Sequence, residues 1–192
     1  MAYQFKIQLR NVSKPLVWRR VIVSEKLTFH ELHEVIQDVF GWGNYHLYQF
    51  SPSGYGSNPV ISVPSKDDWE QPEMNSMKTR LNKVFTKEKQ SFTYIYDFGD
   101  DWVHKIVLEK LVPEPMKSPV CLDGKGNCPP EDCGGPWGYE NMKTILADPT
   151  HEEYNEMKEW LGLDDEEEYD ASEFDLEEAN ESIQDMFSKQ IK

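Results

Sequence analysis

All three cysteines, Cys121, Cys128 and Cys133, lie close together in a segment rich in Gly and Pro. Thiolates bind borderline and soft ions, and a flexible segment can wrap one. With His151 as a fourth ligand they would form a zinc site; His104, His46 and Asp132 are the other residues able to complete it. The spacings C-x6-C and C-x4-C are not those of a zinc-finger pair, so free thiols packed in a loop are the simpler reading. A second set is Asp97, Asp100, Asp101 and His104. Clustered carboxylates beside an imidazole can hold a hard ion or share a proton. The plain alternative is that the Asp side chains close a turn and His104 is a hydrogen-bonded core residue. His30, Glu31, His33 and Glu34 have metal-ligand composition without the H-E-x-x-H order, and read as a helix surface. Neither Gly54-Tyr55-Gly56 nor the glycines at 134–138 are followed by a phosphate-loop lysine motif, and no nucleophile-elbow sequence is present.

The elements that must position these residues follow from periodicity. Tyr3, Phe5, Ile7 and Leu9 alternate with polar residues, as in a half-buried strand, and residues 17–23 return as a second. Residues 27–40 change period: Leu32, Val35, Ile36, Val39 and Phe40 form a helical stripe, Thr28 and Glu31 a capping box, and Gly41 a stop. Residues 45–50 predict a strand carrying His46 and Tyr48, with a short strand at 60–63. Residues 65–75 read as a polar excursion containing Trp69, and 77–85 as one or two helical turns. Two aromatic and β-branched runs, 92–96 and 102–110, flank the Asp-Gly turn of the second site. On the latter, Trp102, His104, Ile106 and Leu108 share one face. Residues 121–138 read as irregular, followed by helices at 139–147, 151–161 and 175–187. The fold class is therefore α+β, with a mixed or mainly antiparallel sheet, one packed helix and C-terminal helices; a β-grasp-like order is one topology it allows. We expect a domain over 1–162 and an acidic extension over 163–192 with a docked helix.

The chain has 192 residues and a formal charge of −15. Residues 111–192 hold 22 of the 35 acidic groups but 6 of the 20 Lys and Arg, so the front of the chain is balanced and the back is acidic. This disfavours broad nucleic-acid binding. No apolar run reaches membrane-spanning length, the N-terminus lacks the apolar core of a secretory signal, and an odd, local set of cysteines is not a disulfide framework. A cytoplasmic protein is expected.

Several segments together resemble the plasmid pRiA4b ORF-3-like family: LVWRR at 16–20, FGW at 40–42, HLYQF at 46–50, YDFGDDWVH at 96–104, CPPEDCGGPWGY at 128–139 and FDLEEAN at 174–180. The resemblance covers most of 3–180 and implies a common α+β fold rather than a reaction. Some relatives carry resolvase or repressor labels, but this chain has no resolvase-like constellation and no appended helix-turn-helix. With no complete catalytic motif, the expected role is a non-enzymatic module for an unknown protein or small-molecule partner, using Tyr48, Trp102, His104, Trp137 and Tyr139. The alternatives are a small metal-dependent hydrolase using Asp97, Asp100 or Asp101 with His104 and His46, and a nucleic-acid-associated regulator.

Overall fold

The alternating apolar residues at the start of the chain form β1 (Ala2–Leu9), and Tyr3, Phe5, Ile7 and Leu9 all point into the core. It pairs antiparallel with β2 (Trp18–Ser24), Phe5 opposite Val21. The capping box forms as expected: Thr28 accepts from the Glu31 amide while the Glu31 carboxylate accepts from the Thr28 amide, opening α1 (Phe29–Phe40). Gly41 ends α1 in the left-handed region, φ 76°, where a residue without Cβ carries no penalty. Then come β3 (Tyr48–Ser51), the short β4 (Ile61–Ser62) and β5 (Met74–Asn75), a single 3-10 turn at Leu81–Lys83, β6 (Ser91–Tyr96), β7 (Trp102–Val112), β8 (Val120–Lys125), α2 (Gly135–Leu146), α3 (Tyr154–Leu161) and α4 (Leu176–Gln190). This computed structural model describes residues 1–65, 71–164 and 166–190. Trp69, within the polar excursion, lies outside the described residues.

One eight-stranded sheet has the order β5-β4-β3-β6-β7-β1-β2-β8. Its pairings are antiparallel except β4 with β5. The sheet is open, and α1 lies against it. Phe29, Leu32, Val35, Ile36, Val39 and Phe40 are the helix's buried face, and Phe29 meets Phe50 edge-on across the interface. Transfer of each such side chain out of water contributes roughly 1.5–3 kcal/mol, which makes this layer the main source of cohesion. α4 packs on α1 and β8.

Two expectations need correction. The segment read as irregular begins with β8, an edge strand in which Cys121 pairs with Val21. An edge strand has ladder bonds on one side only and tolerates Asp123 and Gly124. Gly124 is also required for packing: a Cβ there would lie 2.5 Å from the Phe174 ring. Helix α2 begins at Gly135, four residues before the expected start, because Pro136 in its first turn fits where no intrahelical N–H bond is needed.

Candidate metal centre

Antiparallel pairing of β3 with β6 puts Tyr48 opposite Tyr96. The residues just outside that pair, His46 before β3 and Asp97 after β6, are thereby brought side by side, and the Asp97 amide donates to Leu47 O. Asp97 is buried and adopts φ 54°. Its Oδ1 accepts from the Gly99 amide at 2.8 Å, which fixes the carboxylate and leaves Oδ2 for another partner. His46 stands edge-on to the Tyr96 ring, and the backbone amides of Tyr45 and His46 both donate to the Tyr96 hydroxyl.

The third member arrives from far along the chain. Asp132 lies between β8 and α2, in a loop tied down at several points. Trp42 Nε1 donates to Pro129 O, while the Gly43 amide and the Tyr96 hydroxyl both donate to the Glu131 carboxylate. Burial first, and then the Glu131 charge, push the Tyr96 phenol well above its usual range, so it stays a donor to Glu131. Glycines let the loop approach. Gly135, at φ 69°, presses against the turn after Asp97, where a Cβ would sit 2.5 Å from Asp100 O. A Cβ on Gly138 would sit 1.9 Å from Cys133 O.

The result is a triad in which one ligand atom each from His46, Asp97 and Asp132 lie within 4.8 Å of one another. His46 Nε2 is 3.7 Å from Asp97 Oδ2 and 3.5 Å from Asp132 Oδ1. That nitrogen is buried and has no hydrogen-bond partner among the described residues. Both separations are too long for hydrogen bonds. They match two ligands on one ion: bonds of about 2.1 Å meeting at roughly tetrahedral angles leave donor atoms about 3.4 Å apart. Asp132 is 75% exposed at its side chain, so the cluster faces solvent on that side. The cluster is close enough to chelate a metal ion.

Among the described residues no other group of His, Cys, Asp and Glu meets this geometry. Cys121, Cys128 and Cys133 are free thiols, and with His151 they form no such group. Burial pushes the Cys133 thiol up to about 12 and Cys128 further still, opposite to the direction a reactive thiol needs. His151 Nδ1 accepts from the Glu153 amide. Asp101 accepts from the Tyr55 hydroxyl. His104 is fully buried, with Nδ1 bonded to Trp102 O and its ring edge-on to Phe40 and Trp42. Trp102 beside it is equally buried. Tyr48 is buried, stacks on His33 at 3.7 Å and bonds His30 and Ser76 through its hydroxyl. Tyr139 is buried against Asn127 and Tyr169, while Trp137 is 83% exposed. The five do not share one surface.

Sequence reasoning divided the triad, offering Asp132 to the thiols, Asp97 to the acidic turn and His46 to either. A signal was present: the three residues fall within HLYQF, YDFGDDWVH and CPPEDCGGPWGY.

Comparison with known proteins follows the same span. The profile of the family described as plasmid pRiA4b ORF-3-like protein matches residues 1–178. A Sinorhizobium fredii protein named "Uncharacterized protein y4hQ" is 37% identical over 187 residues, covering 97% of this chain and 92% of that protein. The crystal structure of MM3350 from Methanosarcina mazei Go1, described as a protein of unknown function, superposes with a TM-score of 0.78 at 35% identity, over 92% of this chain and 96% of that one.

Proposed function

The chain belongs to the plasmid pRiA4b ORF-3-like family, and from that premise and the triad we propose that it is a small metal-dependent hydrolase whose divalent ion is held by His46, Asp97 and Asp132. The observation that carries this reading is the buried, unbonded His46 Nε2 set 3.7 and 3.5 Å from two carboxylate oxygens. One imidazole and two carboxylates without a thiolate suit Zn²⁺, Mn²⁺ or Fe²⁺ rather than a soft ion, and zinc binds such donors more tightly than the other two. Two carboxylates balance the ion's charge. Three protein ligands leave positions for water and substrate, and a bound zinc brings the pKa of its water to about 7. His46 and Asp97 are the fixed ligands, each held through backbone bonds. Asp132 closes the set from the more exposed loop. Free thiols agree with the expected reducing, cytoplasmic setting.

The test is calorimetric titration of chelator-stripped protein with Zn²⁺ and Mn²⁺, followed by a screen for chelator-sensitive hydrolysis. One ion per chain is expected, lost in His46→Ala and Asp132→Ala. A Kd weaker than about 1 mM for every ion tried would remove the proposal. A non-enzymatic binding module is the second reading, favoured by the exposed Leu47 and Phe98 beside the triad; tight ion binding without turnover of any substrate would select it.

A further inference from the structure

A cavity of about 620 Å³ runs alongside His46 and extends to His30, His33 and Tyr48 on α1 and β3. Its volume is that of a small-molecule site. His46 is shared between the cavity and the triad, so a molecule filling the cavity would lie against one ligand of the ion. We infer that this cavity is the substrate site, that the substrate is an uncharged acyl compound, an amide or ester bearing an apolar group, and that Asn44 donates to its carbonyl oxygen. The inference rests on the hydrolase reading and adds to it the class of bond and the group that recognises it.

Charge excludes one class first. Among the described lining residues there is no Lys or Arg, and the one carboxylate, Glu73, accepts from the Val60 amide. Phosphate and sulfate esters are held chiefly by Arg and Lys, and the described residues of this wall include neither. Beside its histidines and hydroxyl groups it carries four amides, Asn44, Gln49, Asn58 and Gln71, each with both a donor and an acceptor and so able to match a carboxamide. The apolar part of the substrate has a place as well. Leu47 and Phe98 line the cavity while remaining 71% and 44% exposed.

A hydrogen-bond chain fixes what Asn44 can offer. Gln37 Nε2 donates to the Tyr94 hydroxyl, which lies 2.8 Å from His33 Nδ1. Asn44 Oδ1, 2.9 Å from His33 Nε2, can only accept, so His33 carries its proton on Nε2 and its Nδ1 accepts from Tyr94. Burial holds His33 neutral at neutral pH, its pKa pushed down to about 3. The Asn44 backbone amide is bonded to Gln37 Oε1. Of the Asn44 donors, the backbone N–H is thus taken and the side-chain N–H groups are left, two residues from the ligand His46. A donor there is suited to a carbonyl oxygen that gains charge as water adds. In the reaction the water oxygen forms a bond to the acyl carbon, the C–N or C–O bond breaks, and the water's proton ends on the leaving nitrogen or oxygen. No oxidant or reductant is needed.

The experiment has a binding arm and a turnover arm. Metal-free protein is titrated with N-acetylphenylalaninamide and with phenyl phosphate, followed by NMR of the histidine rings. Zinc-loaded protein is then assayed with N-acetylphenylalanine 4-nitroanilide, the matching 4-nitrophenyl ester and 4-nitrophenyl phosphate. The amide should shift the His30 and His46 resonances, and the anilide or ester should turn over in preference to the phosphate. Asn44→Asp keeps the acceptor for His33 and removes the donor. It should weaken amide binding about tenfold, the value of one good hydrogen bond, with ion stoichiometry unchanged. Leu47→Ala, at an exposed position, should raise KM without altering thermal stability. If the ion binds but the amide leaves the histidines unmoved, or the phosphate is preferred, the inference is overturned and the metal reading stands. If no ion binds, the hydrolase reading fails and the acyl-transfer part of the inference fails with it.

Discussion

His46 is placed by backbone bonds made on either side of it, and Tyr96 is where they meet. The Tyr96 hydroxyl accepts from two amides of the His46 loop and donates to Glu131, next to Asp132. Tyr96 therefore joins the strand that delivers Asp97 to both other ligand loops without being a ligand itself. Outer partners of this kind typically set metal affinity within a factor of about 10–100. Tyr96→Phe should weaken ion binding by that order while secondary structure is retained, as read by calorimetry beside circular dichroism. His104 is a different kind of buried histidine. The strand alternation placed it with Trp102, Ile106 and Leu108, and all four are buried. Its environment holds it neutral, its pKa pushed down to about 3, first by burial. The unfolded chain takes up that proton near pH 6.5 and the folded chain does not. Stability is therefore complete above about pH 6.5 and lost as the pH falls toward about 3, at up to about 1.4 kcal/mol per pH unit. Urea unfolding between about pH 7 and pH 5 should show a steeper dependence in the wild type than in His104→Gln, by nearly one proton. Equal slopes would place the His104 proton elsewhere.

At the scale of elements, what could be read from the sequence was what local chemistry decides. The β1 alternation, the Thr28–Glu31 box, the Gly41 stop and the β6–β7 hairpin each depend on residues within a few positions of one another. β8 and the start of α2 depend on partners far away. The Val120–Lys125 strand exists because β2 presents an edge, and Gly124 is there because Phe174 returns to cover it. The triad has the same origin. Its first two members become neighbours through the β3–β6 register, and the third through close contact of Gly135 with Asp100 O. No periodicity encodes either event. Two glycine substitutions separate the roles. At Gly41 nothing lies within 4 Å of a new Cβ, so Gly41→Ala should cost only the left-handed penalty of about 1–2 kcal/mol. At Gly138 the Cβ would overlap Cys133 O at 1.9 Å, so the backbone beside Asp132 has to move. Gly138→Ala should cost more by thermal unfolding and also weaken the ion, whereas Gly41→Ala should leave ion affinity unchanged.

Across the whole molecule, an acidic C-terminal segment is held against the sheet-and-helix body by a few apolar and aromatic anchors. Arg19 is almost fully buried. It donates to the carbonyls of Val39, Trp18 and Lys125, and its guanidinium lies over the rings of Phe40 and Phe174. These carbonyls include the C-terminal end of α1, where helix dipoles favour a cation. Beyond it, Asn180 exchanges hydrogen bonds with both backbone groups of Cys121, and Ser182 bonds Asp38. Ala179 and Ile183 of α4 are buried, while Leu176 is 40% exposed. The charged residues of this helix thus contribute little to holding it, because exposed pairs are worth at most about 1 kcal/mol. The anchoring is apolar, and one side chain tests it. Ile183→Ala removes a fully buried side chain from the α4 face and should destabilise the protein by about 2–5 kcal/mol. Glu177→Ala, on the exposed face, should change stability by no more than about 0.5 kcal/mol. Denaturant unfolding of the two variants measures the difference. If Ile183→Ala behaved like Glu177→Ala, α4 would be held by its polar contacts, and the Asn180 and Ser182 bonds would be the ones to remove next.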